Sequence, residues 1–132
     1  MSRILLDTHL LLWALSEPRK LPAEARRQID EAEVFVSAAS IWEVSIKAAI
    51  GKLAADSSQL LAEIEPAGFR LLPVTGHHAA AVAHLPIHHN DPFDRMLVAQ
   101  AKTEPLLLLT NDSALPAYGD CVKLVVAQTR RR

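Results

Sequence analysis

Three short aliphatic runs constrain this chain more than any other feature: ILL at 4–6, VFV at 34–36 and LLLL at 106–109. None alternates apolar with polar residues, so a strand built from any of them buries both faces. That pattern belongs to a mostly parallel sheet covered by helices on each side. The intervening segments supply the helices. HLLLWAL (9–15) leads to Pro18, which disfavours helix in the residue before it. Leu21-Pro22 opens a second helix reaching about Ala32. Ser37 begins a third that carries Ile41, Trp42, Val44 and Ile46 and stops at Gly51. With 41, 44 and 48 on one face and 42, 46, 49 and 50 widening it, this helix reads as nearly buried all round. Asp56 or Ser57 caps a fourth helix, residues 69–74 read as a strand, and an alanine-rich helix follows Thr75-Gly76. Asn90 or Asp91 caps a helix from Pro92 to about Lys102, and residues 122–126 form a last strand. The expectation is an α/β fold in one domain, 1–132, ending in a basic tail at 127–132.

Composition removes several classes. Half of the residues are hydrophobic and only 5 % aromatic, so the core is aliphatic and the chain is not disordered. The single cysteine, Cys121, forms no internal disulfide, and no CxxC pair is present. This usage fits a reducing cytoplasm. The apolar run at 4–15 is interrupted by Asp7 and His9 and is too short to span a membrane. Residues 1–66 hold seven Lys/Arg against ten Asp/Glu, whereas 67–132 hold seven against five and end in three arginines. A terminal basic patch alone is a weak nucleic-acid footprint.

Two acids stand where an α/β sheet puts its ligands. Asp7 directly follows the first strand and Asp112 lies just past the most hydrophobic one, after Thr110. Ligands in open α/β sheets bind beyond the carboxyl ends of the strands. Either aspartate is equally able to serve as a cap or turn former. Glu43 sits in an apolar helix and needs a partner there, either Lys47 four residues on or a cation. Asp91 and Asp94 share one side of a helix start, Asp91 reading as the cap and Asp94 as the site residue. Several carboxylates in one hollow hold protons or bind a divalent ion, and oxygen ligands favour Mg²⁺ or Mn²⁺. Such an ion activates water and stabilises charge on a phosphoryl oxygen. His77-His78 and His88-His89 are adjacent pairs whose side chains diverge, so the histidines read as structural, with His88 and His89 lining the substrate side or locking the loop before Asp91. Trp13 and Trp42 read as helix–sheet packing or as part of a partner groove.

Four segments, ILLDTHLLLWAL (4–15), SAASIWEVSIKAAIGKL (37–53), HHNDPFDRMLVAQA (88–101) and LLLTND (107–112), resemble those of PIN-domain proteins of the VapC toxin type. They stand in the family's order and span nearly the whole chain. The resemblance implies a PIN-like three-layer α/β/α sandwich and an acidic quartet, Asp7, Glu43, Asp94 and Asp112, around Mg²⁺ or Mn²⁺. It implies Asp7 and Asp94 as metal ligands, with Glu43 and Asp112 acting directly or through water, and Asp91 and Thr110 in support. Lys47, Lys52 and Arg95 become candidate phosphate contacts. The implied activity is endoribonuclease, the implied partners a small antitoxin that wraps the protein and a second copy in a homodimer, with no membrane. An RNA-processing nuclease without an antitoxin and a non-catalytic binding module of the same fold remain alternatives.

Overall fold

A computed structural model describes residues 2–125; the basic tail expected at 127–132 lies outside them. Five strands form one sheet: β1 (Arg3–Leu6), β2 (Glu33–Ser37), β3 (Arg70–Leu72), β4 (Leu107–Thr110) and β5 (Val122–Leu124). Their order is β3-β2-β1-β4-β5 and every neighbouring pair is parallel. The helices are α1 (Thr8–Ser16), α2 (Ala23–Glu31), α3 (Ala38–Ala49), α4 (Ser57–Ile64), α5 (Gly76–Ala81) and α6 (Pro92–Thr103).

Side chains along a strand point alternately to the two faces, and the core divides accordingly. Ile4, Leu6, Val34, Val36 and Leu109 pack with Leu10 and Leu11 of α1, Ala25 and Ile29 of α2, and Leu60 and Ile64 of α4. Leu5, Phe35, Leu108 and Val122 pack on the other side with Leu97, Val98 and Ala101 of α6. Both faces of the central strands are therefore dry, which is why their sequences show no alternation. The expected three-layer α/β/α sandwich around a parallel sheet is the observed one. No helix among the described residues is long and apolar enough to cross a membrane.

Local chemistry sets the element ends. Asp56 caps α4 by accepting from Ser58 and Gln59 N–H, and Asp91 caps α6 by accepting from Phe93 and Asp94 N–H. Gly51, at φ +76°, ends α3. Its N–H reaches Ala48 O at 3.2 Å while Lys52 N–H reaches Lys47 O at 2.8 Å, the paired bonds of a Schellman turn.

Three expectations need correction. β3 is half the expected length, because Pro73 has no N–H to continue the ladder. β4 starts one residue later than LLLL implied, because its register with β1 pairs Leu107–Leu109 with Ile4–Leu6 and carries Thr110 onto β5. The third correction concerns α3, which is not buried all round. Ala39, Ser40, Glu43 and Val44 form its inner stripe, while Trp42 and Ile50 stand 62 % and 61 % exposed. Trp42 meets Phe93 of α6 edge-on, with ring centroids 5.2 Å apart, rather than packing on the sheet.

Candidate metal centre

The chain runs outward from β1 to β2 and β3, then returns to β4 on β1's other side. The connections leaving β1 and β4 diverge at that switch point, and a crevice forms beyond the strand ends. Asp7 follows β1 and extends its ladder through its N–H to Leu109 O at 3.0 Å. One carboxylate oxygen of Asp7 caps α1, accepting Leu10 N–H at 2.8 Å. The other accepts the Thr110 hydroxyl at 2.6 Å and Asn111 N–H at 3.2 Å. Burial pushes the Asp7 carboxyl up, while those three hydrogen bonds and the His9 charge pull it down. Two carboxylate oxygens offer about four acceptor positions. Three are filled by the protein, so the group is held rigidly with one direction left. Thr110 also accepts Asp112 N–H at 3.0 Å, so one hydroxyl sets the positions of both aspartates.

Glu43 has the lysine partner that the sequence offered. Lys47 Nζ lies 2.6 Å from one oxygen of Glu43, and the Thr8 hydroxyl donates to the other at 2.7 Å while touching Ser40 Oγ at 3.0 Å. Glu43 is buried and Lys47 remains partly in solvent. The hydrogen bond to Glu43 raises the Lys47 ammonium above its usual range; burial opposes this, and the charges of Glu43, Asp91 and Asp94 add to it. A cavity of about 130 Å³ opens here, lined by Thr8, His9, Glu43, Lys47 and Lys52 among others. Both expected phosphate-contact lysines thus face the space beside Glu43.

At the start of α6, Asp91 is occupied with capping and Asp94 faces the other acids. Burial first, then the charges of Asp91, Asp7 and Glu43, raise the Asp94 carboxyl to about 7, with His89 opposing. A carboxyl so perturbed by burial and like charge marks a place suited to a cation. His89, expected to line the substrate side or lock the loop before Asp91, joins the acids themselves. Its Nε2 lies 3.1 Å from Asp94 Oδ2 and 2.9 Å from Asp112 Oδ2. One ligand atom from each of the three falls within 4.8 Å of the others. The HH pair does diverge as expected, with His88 stacked edge-on against Tyr118 at 5.0 Å. Only a loop conformation invisible in the sequence turns His89 inward.

Arg95 has a different occupation from the expected phosphate contact. It donates to Pro86 O at 3.0 Å, Val82 O at 3.1 Å and the Tyr118 hydroxyl at 3.0 Å. Tyr118 also accepts His88 N–H at 3.3 Å. Arg95 and Tyr118 therefore brace the loop that carries His89. Thr8, which holds Glu43, and Ser40, which meets Thr8, carry no sequence signal beyond a hydroxyl adjoining a strand end or lying one helical turn before an acid.

The donor set fits a divalent ion. Asp94 and Asp112 offer carboxylate oxygens and His89 a ring nitrogen; Asp7 and Glu43 stand outside this cluster but near enough for their charges to raise Asp94, whose uphill ionisation a nearby cation would relieve.

The PIN domain family model matches residues 4–120. The curated protein named Ribonuclease VapC22, from Mycobacterium tuberculosis (strain ATCC 25618 / H37Rv), is 31 % identical over 127 residues, covering 89 % of this chain and 93 % of its own. Among solved structures, FitAcB from Neisseria gonorrhoeae matches with a TM-score of 0.62 and 26 % identity, covering 90 % of this chain and 95 % of that one. VapBC2 from Rickettsia felis, bound to a DNA fragment from its promoter, matches with a TM-score of 0.69 at 11 % identity over 93 % and 98 % of the two chains. That last likeness concerns fold alone.

Proposed function

The chain belongs to the PIN-domain family, and from that premise we propose that it is a divalent-metal-dependent endoribonuclease and the toxin of a toxin–antitoxin pair. The observation that carries the reading is the convergence of Asp94, Asp112 and His89, with Asp7 and Glu43 close enough to perturb Asp94, at the switch point of the sheet. The residues that would hold Mg²⁺ or Mn²⁺ are Asp7 and Asp94, with Asp112 and Glu43 directly or through water. The ion supplies Lewis-acid charge that activates water and screens the attacked phosphate.

The chain's own residues do the rest. Thr110, Leu10 and Asn111 fix both oxygens of Asp7, so its acceptor direction is set before substrate arrives. Thr8 and Lys47 each hold one oxygen of Glu43 and fix its direction. Lys47, partly exposed, extends its ammonium toward the same cavity as Lys52, where both attract a phosphodiester backbone without choosing bases. Arg95 contributes through the His89 loop. The toxin assignment is supported by the relative named Ribonuclease VapC22, 31 % identical over most of both chains.

Incubating the protein with total RNA under chelator, Mg²⁺ or Mn²⁺, and mapping the ends, tests the activity. Metal-dependent cleavage that disappears in Asp7→Asn and Asp94→Asn is expected. Cleavage that persists in chelator, or in both variants, rules the proposal out. Co-expression with any short reading frame found immediately upstream, scored by recovery of growth and a co-purifying complex, tests the antitoxin.

A further inference from the structure

The ligand set at the α6 start is not purely oxygen, and that has a chemical consequence. Mg²⁺ demands hard oxygen donors and exchanges them reluctantly for nitrogen. First-row transition ions accept imidazole readily and bind mixed nitrogen–oxygen sites in a graded order. His89 Nε2 sits 2.9 and 3.1 Å from one oxygen each of Asp112 and Asp94. Adjacent ligand atoms around an ion at roughly 2.1 Å are separated by about 3 Å, so the three atoms need little movement to share one. The loop holding His89 is not left to chance, since Arg95 ties Pro86 O to the Tyr118 hydroxyl and His88 stacks on Tyr118. A side chain present only as a passing counter-charge would not require that bracing.

We infer that His89 is a metal ligand of this centre and that its nitrogen biases the site toward Mn²⁺ and later first-row ions over Mg²⁺. The inference rests on the metal-dependent reading above and adds the selectivity that reading leaves open. The same separations serve a plain histidine–carboxylate ion pair, and the two roles predict opposite effects of removing the ring. A ligand lost weakens the transition ion; a competing positive charge lost strengthens every cation alike.

Mn²⁺ and Mg²⁺ dissociation constants, measured by titration calorimetry on the full chain, distinguish them. Wild type should hold Mn²⁺ at least about tenfold more tightly than Mg²⁺, and His89→Gln should lose roughly ten- to a hundredfold in Mn²⁺ affinity with little change for Mg²⁺. His89→Asp, which restores a third carboxylate, should move the ratio toward Mg²⁺. Electron-spin-echo spectra of the Mn²⁺-loaded protein should show coupling to a directly bound nitrogen, absent from both variants. Circular dichroism establishes that each variant is folded. Tight binding in wild type with an unchanged ratio in the variants and no nitrogen coupling overturns this inference alone. Failure of wild type to bind either ion overturns it together with the metal-dependent reading.

Discussion

Replacing Asp94 by Asn should make the metal-free protein more stable at pH 8 while removing its activity. In the fold this carboxyl titrates at about 7 instead of 3.8. The native state therefore binds more protons than the unfolded state between those two values. Stability is greatest below the lower value, falls as pH rises through the window, and has lost the full amount above about 7. A shift of roughly three units corresponds to about 4 kcal/mol at 1.36 kcal/mol per unit. The side chain keeps 19 % of its exposure, so solvent screening reduces this to about 2 kcal/mol. Asparagine forgoes the favourable acid at the helix start, worth about 0.5 kcal/mol, and the His89 contact, worth about as much. About 1 kcal/mol of net stabilisation remains at pH 8, or a few degrees in Tm; it should shrink at pH 5, inside the window, and vanish only below 3.8, where Asp94 is protonated folded and unfolded alike. Thermal melts in chelator at both pH values measure it. Added Mn²⁺ should invert the order, since an ion at a hundred times its Kd stabilises wild type by about 2.7 kcal/mol and the variant by much less. A variant less stable than wild type at pH 8 in chelator, or a difference independent of pH, would refute this account of the acid cluster.

Thr110→Val removes the hydroxyl shared by Asp7 and Asp112 and leaves two buried polar groups short of a partner, so denaturant titration should show a loss of about 2 kcal/mol together with weakened metal binding. Lys47→Met strands the buried Glu43 carboxylate with only Thr8, and denaturant titration at neutral pH should show a loss of about 1–2 kcal/mol. Arg95→Ala should loosen the His89 loop, lowering Mn²⁺ affinity and Tm, and Arg95→Lys should not restore them because one ammonium cannot reproduce the guanidinium's fork. If Arg95 instead acted as a phosphate contact, its loss would reduce the salt dependence of RNA binding and leave metal affinity untouched.

The sheet was legible because burial of both strand faces leaves a direct mark on composition, as at LLLL, and because aspartates after strand ends have a topological meaning. What escaped depended on contacts between distant segments. The face of α3 that turns inward cannot be read when both sides are apolar: Val44 is fully buried and Trp42, two residues earlier, is mostly in water. Reading the LLLL run as the strand itself missed that pairing with β5 places Thr110 inside β4, where its hydroxyl reaches Asp7. His89 escaped for a different reason. Adjacent histidines cannot share an ion, but nothing prevents one of them from joining acids supplied by α6 and the β4 loop. Arg95 looked free because its three acceptors, two backbone carbonyls and a tyrosine 23 residues away, carry no sequence signature.

These contacts also explain how α6 tolerates its own first turn. Asp91 and Asp94 lie together there, close to Asp7 and Glu43, and each additional charge makes ionisation of Asp94 harder. Helix dipole and capping bonds return part of that energy, but only locally. The remainder is met by fastening the helix along its length. Arg95 ties it to the Val82 and Pro86 carbonyls, Gln100 reaches Pro73 O, and Glu104 pairs with buried His78 of α5. His78 accepts Thr75 N–H through Nδ1, which leaves Nε2 to carry the proton it gives Glu104. Polar braces at the first turn, the middle and the far end thus hold the helix against the repulsion among its acids. A helix held this way cannot swing outward to relieve repulsion among its acids, so the relief must come from a proton or a metal ion entering the crevice.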